Sequence, residues 1–229
     1  MDTTLLEPAD PIPGVRPAEQ NRSRALQDKF VTAGRQVLLT TRLDDLAIPV
    51  LAKAANSSVG GFYSRFETKD AFFEFLRHRM LTEHMALYSE HLSQSRFEGK
   101  ARQDVSEAIV DVMLIVFSGP WRGVLREAYA LLTLRPESWA PMKARGQYLR
   151  QRVTDLYSPH VSNPAGLEER VSFAMQLLFS ALNNEMMNPN LSFSIKDDAF
   201  RRHLIVTLDT LVAGDLTLPV TGREGQHDA

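Results

Sequence analysis

Apolar residues return at intervals of three and four along nearly the whole chain, and that spacing leaves little room for anything but helices. Leu26, Phe30, Ala33 and Val37 step by four, three and four, which places them on one face of a first helix ending near Thr40. Phe72, Phe73, Leu76, Met80 and Leu87 mark a long fourth helix from about Thr68 to Ser93, closed by the polar stretch SQSRFEGKAR. Between these two, Pro49 fits only in the first turn of a second helix that runs to about Ala54, because farther inside it would remove a hydrogen bond and clash. A third helix starts at Ser57-Ser58. No Asn-Gly hairpin sits between alternating strands.

Breaks at Gly119-Pro120, Arg135-Pro136, residues 158–166 and residues 188–195 divide the remainder into five more helices, over about 103–117, 121–134, 137–157, 166–187 and 197–214. The expected fold class is therefore all-α with about nine helices: a tail over 1–20, a three-helix unit over 21–67, a larger helical domain over 68–216, and a second tail over 217–229. The first tail, with four prolines, is expected to be mobile. Val171, Ala174, Met175, Leu178 and Leu182 form one broad stripe, widened by Leu177 and Phe179; Phe200, Leu204, Leu208, Leu211 and Val212 form another. Such faces either fill a core or bury each other across a two-fold axis, and the second reading is preferred, giving a homodimer.

Composition removes several function classes. The chain has no cysteine, so disulfides, thiolate zinc sites and cysteine nucleophiles are out. The first residues, MDTTLLEPAD, carry no basic and apolar leader, and the most apolar run, Ile109 to Phe117, is interrupted by Asp111 and too short to cross a bilayer. A soluble, cytoplasmic protein is expected, with no membrane partner. Net charge is only −2, yet residues 21–80 hold 10 Lys and Arg against 6 Asp and Glu, while residues 81–229 hold 15 against 18. A basic N-terminal third on a mildly acidic body fits local attraction to phosphate.

The stretch LAIPVLAKAANSSVGGFYSRFETKDAFF carries the most specific pattern. Asn56 suits a left-handed turn between the second and third helices, and Ser57 or Ser58 suits the cap of the third. Gly60 and Gly61 leave no side chain on that helix, at a cost of about 1 kcal/mol each relative to alanine, which a helix used only for packing would have no reason to bear. Phe62 and Phe66 are expected in the core, locking the third helix against the first.

This stretch resembles the TetR family pattern Thr-x-x-x-Ile-Ala-x-x-Ala-Gly-Val-Ser-x-Gly-x-Leu-Tyr-x-x-Phe-x-x-Lys-x-x-Leu, through Leu51-Ala52, Ala55, Ser58, Gly60, Tyr63, Phe66 and Lys69, with Phe62 and Phe73 in place of leucines. The resemblance covers roughly residues 22–80. It implies a homodimeric transcription regulator that sets its third helices in successive major grooves of near-palindromic double-stranded DNA, and is released by a small-molecule inducer held in the larger domain. Carried onto this chain, it implies DNA contacts at Ser57, Ser58, Val59, Gly60, Gly61, Tyr63, Arg65 and Lys69. Tyr63, Arg65 and Lys69 would meet phosphate, and Ser57, Ser58 and Val59 would meet base edges. Arg22 and Arg24 would reach the backbone or the minor groove, and Arg42, where the family often has glycine, would add a cation near DNA. Leu46, Ala47 and Ile48 stand where the family usually has capping threonines, so the second helix is expected to lack that cap.

In the larger domain no catalytic motif appears, no cofactor is expected, and His78, His84 and His91 are spaced by six and seven, too far apart on one helix to share a metal. The aromatic residues Phe117, Trp121 and Trp139 are the candidates for an apolar inducer cavity. Two other classes compete: an all-helical small-molecule carrier or enzyme without DNA affinity, and a helical adaptor that dimerises and binds protein.

Overall fold

The structure, a computed structural model, describes residues 11–134, 140–162, 164–188 and 192–214. Among the described residues there are nine α-helices and no strand: α1 (Asn21–Leu38), α2 (Ile48–Ala54), α3 (Val59–Tyr63), α4 (Lys69–His91), α5 (Arg102–Ser118), α6 (Arg122–Leu134), α7 (Ala140–Tyr157), α8 (Leu167–Met187) and α9 (Asp198–Ala213). The all-α reading of the periodicity holds.

Local chemistry explains the helix ends around α2 and α3. Pro49 sits in the first turn of α2, and its N-cap, Ala47, makes no side-chain cap bond, so the missing threonine is a real gap. At the other end the Asn56 N–H donates to the Lys53 carbonyl at 3.0 Å and the Ser57 N–H to that of Ala52 at 2.9 Å. These are the two bonds of a Schellman turn, and they require the positive φ of 47° that Asn56 adopts. Ser58 then caps α3, its Oγ accepting from the Gly61 N–H at 3.0 Å, and Thr68 caps α4 in the same way through the Ala71 N–H at 3.0 Å.

Phe30 of α1, Phe62 of α3, and Phe66 and Phe72 are all fully buried and meet mostly edge to face, with ring centroids 5.0 to 6.1 Å apart. This aromatic knot fixes α3 on α1 and α4. The core runs without a break from Phe30 to Val212, so the boundary between residues 67 and 68 divides the helix order rather than the packing. α4 packs against α1, α5, α6 and α7, and α9 packs against α5 and α8.

Two expectations need correction. Residues 11–20 are not loose: the Arg16 N–H donates to the Arg65 carbonyl at 2.9 Å, the Glu67 N–H donates to that of Gly14 at 2.8 Å, and Gln27 Nε2 donates to that of Arg16 at 3.2 Å. The proline-rich arm is thereby laced to α1 and to the turn between α3 and α4. Secondly, Val171, Ala174, Met175, Leu178 and Leu182 of α8, with Phe200, Leu204, Leu208 and Val212 of α9, are buried within the chain itself. The stripes that suggested a two-fold interface fill the core instead, and the large apolar side chains left outward are Phe173, Leu177 and Met187 on α8 and Val206 on α9.

Candidate functional site

The α2–α3 corner presents an exposed surface whose backbone is held from behind by the aromatic knot. Val50, Val59 and Tyr63 are 54, 40 and 47% exposed, large apolar groups that a monomer gains nothing by showing to water. Ser58 and Gly60 are exposed beside them. A Cβ at Gly60 would meet only the Ser58 Oγ, at 3.8 Å, so this glycine serves no close approach within the chain. The Tyr63 ring rests edge-on against Phe62, centroids 5.3 Å apart, which aims it outward from a rigid base.

Other members of the predicted set are engaged internally. Gly61 lies against Ser57: a Cβ there would come within 2.4 Å of the Ser57 Oγ, so a larger residue would have to turn that hydroxyl aside. Arg65 clasps the arm, its Nε donating to the Ser64 carbonyl at 2.7 Å and its Nη1 to that of Pro17 at 3.3 Å. Arg24 Nε similarly donates to Ala18 O at 3.0 Å. Lys69 Nζ donates to the Asp44 carbonyl at 2.9 Å, bridging α4 to the loop before α2, and two ammonium donors remain. Ser58, Val59, Gly60 and Tyr63 are therefore exposed together, Lys69 is half-buried and tied to the loop before α2, and Ser57, Gly61 and Arg65 lie behind them.

Sequence reading missed the joint between this unit and the body. Glu127 of α6, only 3% exposed, accepts from the Leu43 N–H at 3.0 Å and from Arg126 Nε at 2.9 Å, and forms an ion pair with Arg42 Nε at 3.0 Å. Arg126 Nη2 donates in turn to the carbonyls of Leu38 and Thr41, both at 3.0 Å, satisfying the C-terminal end of α1. Arg42 is thus paired with α6 through Nε while its side chain stays 51% exposed. Gly123 lets the two helices touch, since a Cβ there would stand 2.2 Å from the Leu38 carbonyl oxygen. A glycine in the first turn of α6 was the one available signal.

The predicted inducer residues are also displaced. Phe117 is fully buried and packs on Phe179, centroids 6.1 Å apart. Trp121 is wedged between α1 and α4, its Nε1 donating to Glu83 Oε2 at 2.6 Å and its ring lying under the Arg35 guanidinium at 4.7 Å. Both fill the interior; Trp139 lies outside the described residues. A cavity of about 640 Å³ opens instead between α6, α7 and α8, with Tyr129, Met142, Arg145, Met175, Phe179 and Asn183 in its wall. Phe117 stands one layer behind it. The polar face of α7, which resembles an ordinary solvated face, hid this site from sequence reading.

Among the described residues no group of three or more His, Asp or Glu side chains is gathered as a metal site, and no single helix is long and apolar enough to cross a membrane. No known family model matches the chain, and no curated protein is significantly similar to it.

Proposed function

We propose that the chain is a cytoplasmic DNA-binding transcription regulator of the TetR type, acting as a homodimer and released from its operator by a small molecule. The observation that carries this reading is the outward group of Ser58, Val59, Gly60 and Tyr63 on α3, which the aromatic knot holds rigid although the exposed glycine packs against little within the chain. Gly60 lets a duplex backbone come close, the Ser58 hydroxyl and the Val59 methyls meet base edges, and Tyr63 and Lys69 anchor phosphate. So few base-reading groups leave much of the specificity to DNA shape and to the spacing of two half-sites about 34 Å apart.

Phe173, Leu177 and Val206, exposed on the paired helices α8 and α9, support the dimer. The cavity between α6, α7 and α8 supports the effector, and α6 also carries the Glu127 joint to the DNA-reading unit. Titration of the full chain against DNA flanking its own gene at several salt concentrations tests the proposal. Selective binding that weakens steeply with salt is the expected result, and binding without sequence preference, or without salt dependence, refutes it. The same cavity favours one alternative, a helical small-molecule carrier, which predicts ligand binding with no retardation of DNA.

A further inference from the structure

We propose that the cavity between α6, α7 and α8 binds a small organic anion, a carboxylate on an apolar body, with the Arg145 guanidinium as its counter-ion. This deepens the effector half of the proposed function, and rests on it only for the claim that occupancy is felt at DNA.

The argument starts from a charge without a counter-charge. Arg145 lines the cavity, is 5% exposed and brings a guanidinium cation to it. A buried cation is costly unless paired. Among the described residues its hydrogen-bond partner is the His84 Nδ1, 3.1 Å from Nη1, and no carboxylate forms an ion pair with it. Burial and the neighbouring guanidinium hold His84 down at about 3, so this partner is a neutral imidazole. Lys143 and Arg150 add two more cations to the wall, and among the described residues no Asp or Glu lines it.

Among the described residues two further buried polar groups are left open, one in the cavity wall and one outside the lining residues but near Arg145. The Tyr88 hydroxyl, fully buried and within electrostatic reach of both Arg145 and Tyr129, has no hydrogen-bond partner, and neither does Oδ1 of Asn183 in the cavity wall. Buried polar atoms are rarely left so. A carboxylate beside Arg145 would accept from the guanidinium and from the Tyr88 hydroxyl together, and a ligand hydroxyl or N–H would meet Asn183.

Size and lining select the rest of the ligand. The volume of about 640 Å³ is far larger than an inorganic ion, and Met142, Met175, Phe179 and the Tyr129 ring supply apolar wall. One deeply buried cation suits one negative charge better than a dianion.

The test uses the full chain without DNA. Benzoate, indole-3-acetate and octanoate are each titrated by calorimetry and thermal shift beside their own primary amides, with inorganic phosphate as a separate arm. At least one carboxylate is expected to bind about tenfold or more tighter than its amide, because the amide cannot neutralise the buried charge. Arg145→Met, which removes an unpaired buried cation, is expected to leave the unliganded melting temperature equal or higher and to abolish that preference. Tyr88→Phe deletes one hydroxyl and is expected to weaken the carboxylate about fivefold to tenfold. The proposal is overturned if no carboxylate exceeds its amide, if phosphate alone reproduces the whole shift, or if both variants bind like the parent chain. DNA retardation is measured separately with no additive. A chain that binds DNA but no carboxylate refutes this site alone, and one that binds carboxylate but no DNA refutes the regulator alone.

Discussion

Replacing Gly123 by alanine should break the joint between the N-terminal unit and the body. The new Cβ would stand 2.2 Å from the Leu38 carbonyl oxygen, 2.4 Å from its carbon and 2.7 Å from the Leu39 nitrogen. These are backbone atoms, which cannot swing aside as a side chain does. Ordinary contact begins near 3.4 Å, so α6 must withdraw from α1 by about 1.2 Å. The same displacement stretches the bonds from Arg126 Nη2 to Leu38 and Thr41 and from the Leu43 N–H to Glu127, all now 3.0 Å, past useful length. Each involves a charged group and contributes about 1.5–3 kcal/mol. Losing two of them outweighs the gain of about 1 kcal/mol that alanine brings to a helix. A net destabilisation of about 3 kcal/mol follows, which lowers a urea midpoint by about 1.5 M if the slope is near 2 kcal/mol/M. Gly146→Ala is the control: its Cβ would meet only the tip of Arg150, at 3.6 Å, so the midpoint should hold or rise. An unchanged or raised midpoint for Gly123→Ala would refute the reasoning.

Four other outcomes are expected. Because His84 is held at about 3 when folded, against 6.5 when unfolded, only the unfolded chain takes up that proton between the two values. Its contribution is therefore complete above about pH 6.5 and is lost as pH falls, at up to about 1.4 kcal/mol per unit, and urea titrations from pH 7 to 4 should show His84→Asn with a shallower loss. Phe62→Ala empties the centre of the aromatic knot and should cost about 3–5 kcal/mol in the same assay. Lys69→Ala should weaken binding to all DNA sequences alike and reduce the salt slope by about one unit, whereas a sequence-selective loss would mean that Lys69 reads a base. Leu177→Glu places a charge on the outward face of α8 and should shift sedimentation toward the monomer without lowering helix content.

Where structure follows local rules, the sequence was legible. Pro49, Asn56, Ser58 and Thr68 each specify a turn or cap through their own backbone chemistry, and α5, α6, α8 and α9 begin and end within a residue or so of their expected limits. The buried roles of Phe62 and Phe66 followed from their helical spacing. What escaped depends on partners far along the chain. Residues 11–20 are ordered by carbonyls and amides near Arg65 and Glu67, and nothing in a proline-rich arm foretells that. Arg42 and Arg65 resemble free cations until Glu127 and the arm are folded beside them. Trp121 and Phe117 attracted attention as aromatic residues, yet close packing drew them into the interior and left the cavity to Arg145 and the face of α7.

Selection from a pool of random double-stranded DNA by the full chain tests the central claim most directly. A dimer presenting two copies of the Ser58–Tyr63 surface should enrich an inverted repeat whose half-site centres lie about one helical turn apart, or a whole multiple of it. Enrichment should collapse when Tyr63 and Lys69 are both replaced by alanine. Recovery of no common sequence, or enrichment that survives that double replacement, would contradict the assignment of α3 to DNA.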